Sequence, residues 1–173
     1  MRRRAQPSNV LTTLVFRRAV WINRLLQPVI RRATEADVEE IVAIFEPSFA
    51  LLDFLPTLHT HEEHLGFFGG RIRDAEVYIF GRGFAVVHDD WLQHLYVHPD
   101  EIGTGVGHAL FEHVTTLLPD GFQFWVFQQN HRARRFYEAH GATAFEFTDG
   151  AGNEEKTPDI RYEWRRTSAT HPR

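Results

Sequence analysis

The sequence of 173 residues contains no cysteine, which excludes disulfide bonds and metal sites built from thiolates. It also lacks an apolar run that approaches the length of a membrane-spanning helix, so we expect no membrane partner. The absence of cysteine is compatible with a reducing compartment, and we expect a cytoplasmic protein. With 43% apolar and 13% aromatic residues, the chain can form one domain with a sizeable core.

Acidic residues are missing from the first part of the chain. All 23 of them lie at or after Glu35, whereas eight of the 19 basic residues precede it. The rest of the chain therefore carries eleven basic residues against 23 acidic ones, a net charge of −12. Because phosphate backbones require clustered positive charge, this acidic body argues against nucleic acid as the main partner.

Residues 1–29 are rich in arginine, and apolar residues occupy their middle. Three interpretations remain open: a disordered arm, a targeting or membrane-surface segment, or translated sequence upstream of the natural start. A secretory core is disfavoured because Arg17 and Arg18 interrupt the apolar run. We expect a weakly ordered arm over residues 1–29, one domain over residues 30–166 and a tail over residues 167–173.

The central feature of the sequence is a predicted strand, glycine-rich turn and helix. Residues 91–97 are rich in aromatic and β-branched residues, which predicts a strand, and Pro99 ends it. Apolar residues with helical spacing begin at Val106 and predict a helix. Three glycines stand at alternate positions around its first residue: Gly103, Gly105 and Gly107. Such a turn lets backbone N–H groups surround an anion at a helix N-terminus, so it predicts a phosphate or pyrophosphate site.

Two common phosphate loops do not fit this turn. A dinucleotide fingerprint would need glycine where His108 stands, and a Walker loop needs a lysine, whereas Lys156 is the only lysine of the chain. The alternative interpretation is a turn whose glycines only permit close packing of strand and helix.

The predicted helices are placed by capping and breaking residues. Thr34 starts a first helix that Pro47 ends, and a capping box of Thr60 and Glu63 starts a second one. Two glycines at positions 69 and 70 are expected to weaken or end this second helix. Its start carries His59, His61 and His64, whose spacing favours a solvated helix start, so no metal site is predicted.

The predicted strands alternate with these helices. A hairpin turning at residues 81–83 joins the Trp91 strand in an antiparallel meander, and residues 122–127 are apolar enough for burial on both faces. Residues 144–147 and 160–164 form the last strands. The order β-α-α-β-β-β-α-β-α-β-β predicts the α+β class with a mixed sheet.

Two motifs together resemble those of the GCN5-related N-acetyltransferases. The glycine turn is similar to the family's Gln/Arg-x-x-Gly-x-Gly/Ala loop, and Asn130-x-x-Ala133-x-x-Phe136-Tyr137-x-x-x-Gly141 is similar to its N-x-x-A-x-x-x-Y helix. The resemblance covers residues 30 to about 165. It implies a GNAT-like fold, in which helices flank a central mixed, mostly antiparallel sheet that is splayed between strands 4 and 5.

The same resemblance implies an N-acetyltransferase that moves an acetyl group from acetyl-CoA, its co-substrate, to a primary amine by direct attack. Tyr137 would be the general acid toward the CoA thiolate. The residues implied in binding CoA belong to the fourth strand, the loop and the following helices: Leu95, Tyr96, Val97, Ile102, Gly103, Thr104, Gly105, Val106, Gly107, His108 and Asn130.

Several roles have alternatives. Tyr137 could be a core aromatic only, and Asn130 could be only a helix N-cap. For the general base we rank His94 first because an unperturbed imidazole has a pKa near 6.5, with a water chain and Glu76 behind it. His94 and Gln93 are expected on opposite faces of their strand.

The sequence departs from the family at the loop. Ile102 replaces the usual Gln or Arg, and Thr104 stands where many members have Arg, so two phosphate-binding side chains are missing. Four cationic candidates could compensate, namely His98, His108, Arg132 and Arg134. This departure keeps open a catalytically silent acyl-CoA-binding or regulatory domain.

The acceptor site is expected in the segments furthest from these motifs. These are the apolar loop 49–58, the second predicted helix and the loop 148–159, whose aromatic, histidine and acidic residues suit a cationic amine but also a solvated loop. The acceptor could be a small molecule or a peptide. A second subunit is one candidate to cover the apolar loop, which makes a homodimer an expectation.

Overall fold

The computed structural model describes residues 29–166; the expected arm up to residue 28 and the tail from residue 167 lie outside this range. Its seven strands form one sheet in the order β1-β2-β3-β4-β5-β7-β6. The strands are β1 (Arg31–Arg32), β2 (Glu76–Phe80), β3 (Gly83–His88), β4 (Trp91–Val97), β5 (Phe122–Phe127), β6 (Thr143–Phe147) and β7 (Asp159–Trp164). The helices of the described range are α1 (Val38–Phe49), α2 (His61–Asp74), α3 (Val106–Leu117) and α4 (His131–Ala139).

The predicted α+β class and mixed sheet are confirmed. Neighbouring strands pair antiparallel except β4 and β5, which are parallel. The last strand, β7, lies between β5 and β6 and pairs antiparallel with both. The linear order of elements does not reveal this insertion, because the pairing depends on contacts between distant segments.

The splay between β4 and β5 has a local cause. On β3 the neighbours Val86 and Val87 pair with His94 and Leu92, so β4 has one extra residue, Gln93, at this point. Such a bulge bends its strand, and β4 pairs with β5 only at Trp91. The expectation that Gln93 and His94 face opposite sides is wrong because the bulge breaks the alternation, and both residues line one groove.

The predicted end of the first helix is wrong. The helix α1 continues past Pro47 to Phe49, since Ala50 N–H still donates to Glu46 O at 3.0 Å and the Ser48 hydroxyl lies within hydrogen-bonding distance of Ile44 O (2.6 Å) and Val97 O (2.8 Å). The capping box of α2 is confirmed, but the helix does not end at its glycines. Each glycine costs about 1 kcal/mol of helix propensity, and burial of Phe68 between α2 and the sheet outweighs this cost.

The core has two parts, one on each face of the sheet. Side chains of α1 and α2 pack on β2 and β3, while α3 and α4 pack on the opposite face over β3, β4, β5 and β7. The expected burial of β5 on both faces is wrong. Phe122, Phe124 and Val126 are buried, whereas Trp125 is 45% exposed. The helices α1 and α2 lie over the other half of the sheet and leave this face of β5 open. Within residues 29–166, no helix is both long and apolar enough to cross a membrane.

The loop between β6 and β7 is held by its own hydrogen bonds. The Asn153 amide nitrogen donates to Thr157 O (2.7 Å) and Asp159 Oδ2 (3.0 Å), and its oxygen accepts from Thr157 N (3.1 Å). The Thr148 hydroxyl donates to Asp159 as well. Because Thr157 and Asp159 are buried polar residues, these bonds also remove the cost of their desolvation.

Gly150→Ala is expected to open this loop. Gly150 has φ +82°, and an added Cβ would overlap the Thr157 backbone. Both effects are unfavourable, so we expect a loss of about 2 kcal/mol or more in the free energy of unfolding. Denaturant titration measures it, with Gly152→Ala as the control because no atom lies within 4 Å of its added Cβ. Equal losses in the two variants would contradict the packing of Gly150 on Thr157.

Candidate active site

A cavity of about 410 Å³ opens beside the splayed β4 strand. Ten of the predicted site residues line it: Leu95, Tyr96, Val97, Ile102, Gly103, Gly105, Gly107, His108, Asn130 and Tyr137. Three others do not. The Thr104 hydroxyl donates to Glu101 O at 2.7 Å, Val106 is buried in the core, and His94 borders a neighbouring cavity.

The glycine turn forms one end of this cavity. Gly103 and Gly105 have φ values of +83° and +99°, which favour glycine, and an added Cβ at either position would meet no atom within 4 Å. Gly105 is the N-cap of α3, where it offers no capping side chain, and no acidic residue follows in the first turn. The N–H groups of Val106, Gly107 and His108 have no acceptor among residues 29–166. Free donors at a helix N-terminus that faces open space are suited to an anion.

An arginine and two histidines border the same end. Arg132 and His108 line the cavity together with His140. His108 Nδ1 lies 2.8 Å from His140 Nε2, and His140 Nδ1 lies 2.7 Å from Phe136 O. Since a carbonyl oxygen only accepts, Nδ1 of His140 carries the hydrogen of its bond to Phe136 O. His140 was not among the predicted site residues; its position one turn after Tyr137, at the C-cap of α4, is the signal that could have found it.

The other two cationic candidates have different partners. His98 Nε2 lies 2.6 Å from Arg82, and its Nδ1 accepts from Asp100 N. Arg134 donates to the Tyr162 hydroxyl (3.3 Å) and to Gln128 O (3.2 Å). Neither residue lines the cavity, so compensation for the missing loop side chains is left to its neighbours on α3 and α4.

The two motif residues of the α4 region each have a structural role and also border the cavity. Asn130 Oδ1 accepts from Ala133 N at 3.1 Å and so caps α4. Tyr137 packs on Phe124 with ring centres 4.3 Å apart and is 8% exposed. Its hydroxyl has no hydrogen-bond partner within residues 29–166. Burial, with a smaller contribution from Tyr96, raises the pKa of Tyr137 and keeps the phenol protonated at neutral pH.

A second cavity of about 380 Å³ shares Tyr96 with the first. It is formed by the three segments in which the acceptor site was expected. Aromatic rings make up much of its wall, and glutamates of α2 and the β6–β7 loop lie at its border: Phe45, Phe49, Phe67, Phe68, Glu63, Glu154 and Glu155. No lysine or arginine is among its lining residues in the described part of the chain.

His94 lies in the wall of the second cavity. Its ring meets Phe67 and Phe68 edge-on, with centres 5.5 and 5.7 Å apart, and stacks on Tyr96 at 6.2 Å. Burial, assisted by the charge of Arg71, lowers the pKa of His94 to about 4. The imidazole is therefore neutral at pH 7, and it is a weaker base than an exposed histidine.

The remaining candidate base, Glu76, lies outside both cavities. It starts β2 at the end that pairs with Val87, whereas the glycine turn follows the opposite end of β4. The Tyr78 hydroxyl donates to its carboxylate. This position argues against Glu76 as the base.

The histidines at the start of α2 pair with carboxylates. His61 and His64 both contact Glu46 Oε1, at 3.0 and 2.8 Å, while His59 Nε2 lies 3.1 Å from Glu154. No group of metal-binding geometry occurs among residues 29–166. His59 and His64 instead belong to the border of the second cavity.

Comparisons with known proteins bear on the family and the fold. Residues 59–141 match the family model of the acetyltransferase (GNAT) domain, and no curated protein matches the chain. Apo-form YjaB from Escherichia coli has 25% identity and a TM-score of 0.66, over 80% of this chain and 98% of that one. The putative acetyltransferase yncA from Salmonella typhimurium, solved with its cofactor acetyl-CoA, has 18% identity and a TM-score of 0.63, over 85% and 98%.

A third solved structure, the ribosomal-protein-S18-alanine N-acetyltransferase from Escherichia coli, has 16% identity and a TM-score of 0.63. The match covers 85% of this chain and 100% of that one. The likeness to these three structures confirms the expected GNAT-like fold.

His94 is expected to make stability depend on pH between about 6.5 and 4. The unfolded chain binds a proton near pH 6.5, whereas the folded chain binds it only near pH 4. Stability therefore falls as the pH is lowered through this window, by at most about 3 kcal/mol from this group. Replacing His94 by Gln should remove that part of the slope in denaturant titrations at a series of pH values.

His88→Gln is the matched control because it removes an exposed imidazole at the end of β3. The free energy of unfolding of this control should vary with pH in the same way as that of the wild-type protein. If His94→Gln left the slope unchanged, burial would not be the factor that sets the protonation of His94.

Proposed function

The chain contains a domain of the acetyltransferase (GNAT) family, and we propose that it transfers the acetyl group of acetyl-CoA to a primary amine by direct attack. One observation carries this proposal: an uncapped glycine turn and Tyr137 border one cavity, which Tyr96 joins to a second, aromatic one. The first cavity can hold a nucleotide thioester and the second an acceptor. The structure of yncA with acetyl-CoA supports the choice of co-substrate.

The residues of the first cavity fit CoA in an ordered way. The free N–H groups at the start of α3, the Arg132 guanidinium and the His108 ring suit the pyrophosphate. The edge of β4 from Leu95 to Val97 suits the pantetheine arm, because β4 pairs with β5 only at Trp91. Asn130 and Tyr137 line the cavity from the side of α4, where they would border the arm and the thioester.

The proposed chemistry forms an amide and breaks the thioester. The amine nitrogen attacks the acetyl carbon, the C–S bond breaks, and the CoA sulfur leaves with the electron pair. Tyr137, which burial keeps protonated, then gives its proton to this sulfur, and the proton released by the amine nitrogen restores the phenol through the solvent. The amine must lose its own proton to react.

His94 remains the first candidate to take the proton of the amine. It borders the acceptor cavity, and its pKa of about 4 leaves it neutral and able to accept. The same low pKa makes it a weak base, so a chain of waters to the solvent is the competing route. A small-molecule or peptide amine as acceptor, a cytoplasmic location and a homodimer remain predictions.

A catalytically silent acyl-CoA-binding domain is the second candidate function. The observation that favours it is the loss of two phosphate-binding side chains, since Ile102 and Thr104 cannot supply charge and Thr104 bonds to Glu101 O. The silent domain would need the first cavity only. The aromatic second cavity beside Tyr96 favours the enzyme.

Gly105→Ala should weaken acetyl-CoA binding by at least about tenfold. The methyl group would occupy the open space in front of the turn, and φ +99° is strained for alanine. Gly141→Ala is the matched control, since Gly141 has φ +85° but lies outside the cavity. Calorimetric titration of folded variants decides: the control should lose stability and keep its affinity. Unchanged affinity in Gly105→Ala would exclude the turn as the phosphate site.

Tyr137→Phe should lower kcat by roughly 10²–10⁴, the usual contribution of a positioned acid, with acetyl-CoA affinity nearly unchanged. The ring and its packing are kept, and only the hydroxyl is lost. Tyr162→Phe is the control: it removes a buried hydroxyl that donates to Glu138 at 2.7 Å, away from the cavity. Thiol release with an active amine measures both variants.

The control variant Tyr162→Phe should have a normal kcat and lose about 1 kcal/mol in the free energy of unfolding. Normal turnover in Tyr137→Phe would remove the acid role. A wild-type protein that binds acetyl-CoA but acetylates no amine would favour the silent domain.

A further inference from the structure

Three glutamates border the second cavity, and two of them are already engaged. Glu63 accepts from Thr60 N at 2.7 Å in the capping box, and Glu154 lies 3.1 Å from His59. The Glu155 carboxylate has no hydrogen-bond or ion-pair partner among residues 29–166, although the residue is half-buried. Of the three border carboxylates, Glu155 is therefore the one that is free to bind an incoming cation.

The backbone of the β6–β7 loop determines where Glu155 lies. Asn153 and Thr157 bond to each other on both sides of Glu155, and the Thr157 hydroxyl donates to the Glu155 carbonyl at 3.0 Å. Its neighbour Lys156 has φ +50°, a conformation that non-glycine residues rarely adopt. The loop thus holds Glu155 at the cavity through main-chain contacts that do not involve its side chain.

Glu155 also acts on the residue that joins the two cavities. Burial raises the pKa of the Tyr96 phenol, and the negative charge of Glu155 adds to this effect. Glu155 and Tyr96 both line the acceptor cavity, and Tyr96 also lines the cavity of the glycine turn.

We propose that Glu155 is the ammonium-binding group of the acceptor site and selects primary amines that carry an apolar or aromatic body and no carboxylate. The ammonium group would lie between Glu155 and Tyr96, and the body would pack on Phe45, Phe49 and Phe68. This inference rests on the proposed acetyl transfer and names its substrate class.

The same charges explain which amines are rejected. A carboxylate next to the amine, as in an amino acid, would enter a cavity bordered by three glutamates and lined by no lysine or arginine of the described residues. Phenylethylamine and phenylalanine differ by this one group. We expect kcat/KM to be at least about tenfold higher for phenylethylamine.

The test uses the full chain with acetyl-CoA and these two amines. Glu155→Gln keeps the shape of the side chain and removes its charge, and we expect it to raise KM for phenylethylamine about tenfold with little change in kcat. Glu155→Asp should restore part of the loss because the charge returns. Glu62→Gln is the matched control: it removes an exposed acid of α2 that does not line the cavity, so KM should stay as in the wild type.

The outcomes separate this inference from the proposed function. If acetyl-CoA binds and amines are acetylated, but Glu155→Gln behaves like Glu62→Gln, the role of Glu155 is wrong and the enzyme stands. Equal use of phenylethylamine and phenylalanine, or binding of neither amine in calorimetry with CoA present, overturns the substrate class. Lack of acetyl-CoA binding overturns the proposed function itself.

Discussion

The separation of β4 from β5 is the constraint on which the candidate site depends. A sheet strand normally satisfies its N–H and C=O groups along both edges, whereas β4 pairs with β5 only at Trp91. The bulge at Gln93 follows at once and bends the strand away. The free edge from Leu95 onward then borders a cavity, which the start of α3 and the motif residues of α4 complete.

Main-chain groups supply much of what the first cavity offers. The turn at Gly103 and Gly105 leaves three N–H groups without acceptors in the described range. The proposed anion site therefore does not depend on the cationic side chains that are missing at Ile102 and Thr104. Arg132 brings a positive charge to the same cavity from α4, and His108 borders it from α3.

Burial has opposite consequences for the two proposed catalytic side chains. It disfavours the charged form of each group, so it raises the pKa of Tyr137 and lowers that of His94. The first shift leaves the phenol of Tyr137 protonated at neutral pH but makes it a weaker acid than an ordinary tyrosine. The lowered pKa of His94 makes it a weaker base. The proposed binding of the amine by Glu155 is a separate contribution, which does not require proton transfer.

Local patterns in the sequence determined the elements and the motifs. Residue type and spacing alone set the strand at residues 91–97, the capping box at Thr60, and the positive φ of Gly105, because each depends on near neighbours in the chain. The family motifs are local patterns as well, and apart from Gly141 their glycine, Asn130, Ala133, Phe136 and Tyr137 residues line one cavity.

Only the tertiary structure decided features that depend on distant segments. Helix propensity predicted that α1 ends at Pro47, which is too early. The helix continues because the Ser48 hydroxyl bonds to the carbonyl oxygen of Val97, a residue 49 positions further along the chain. The insertion of β7 beside β5, the bulge at Gln93, and the shifted pKa of His94 likewise arise from contacts across the sheet. Burial and pairing are properties of the packed chain, so a pattern read along the sequence does not contain them.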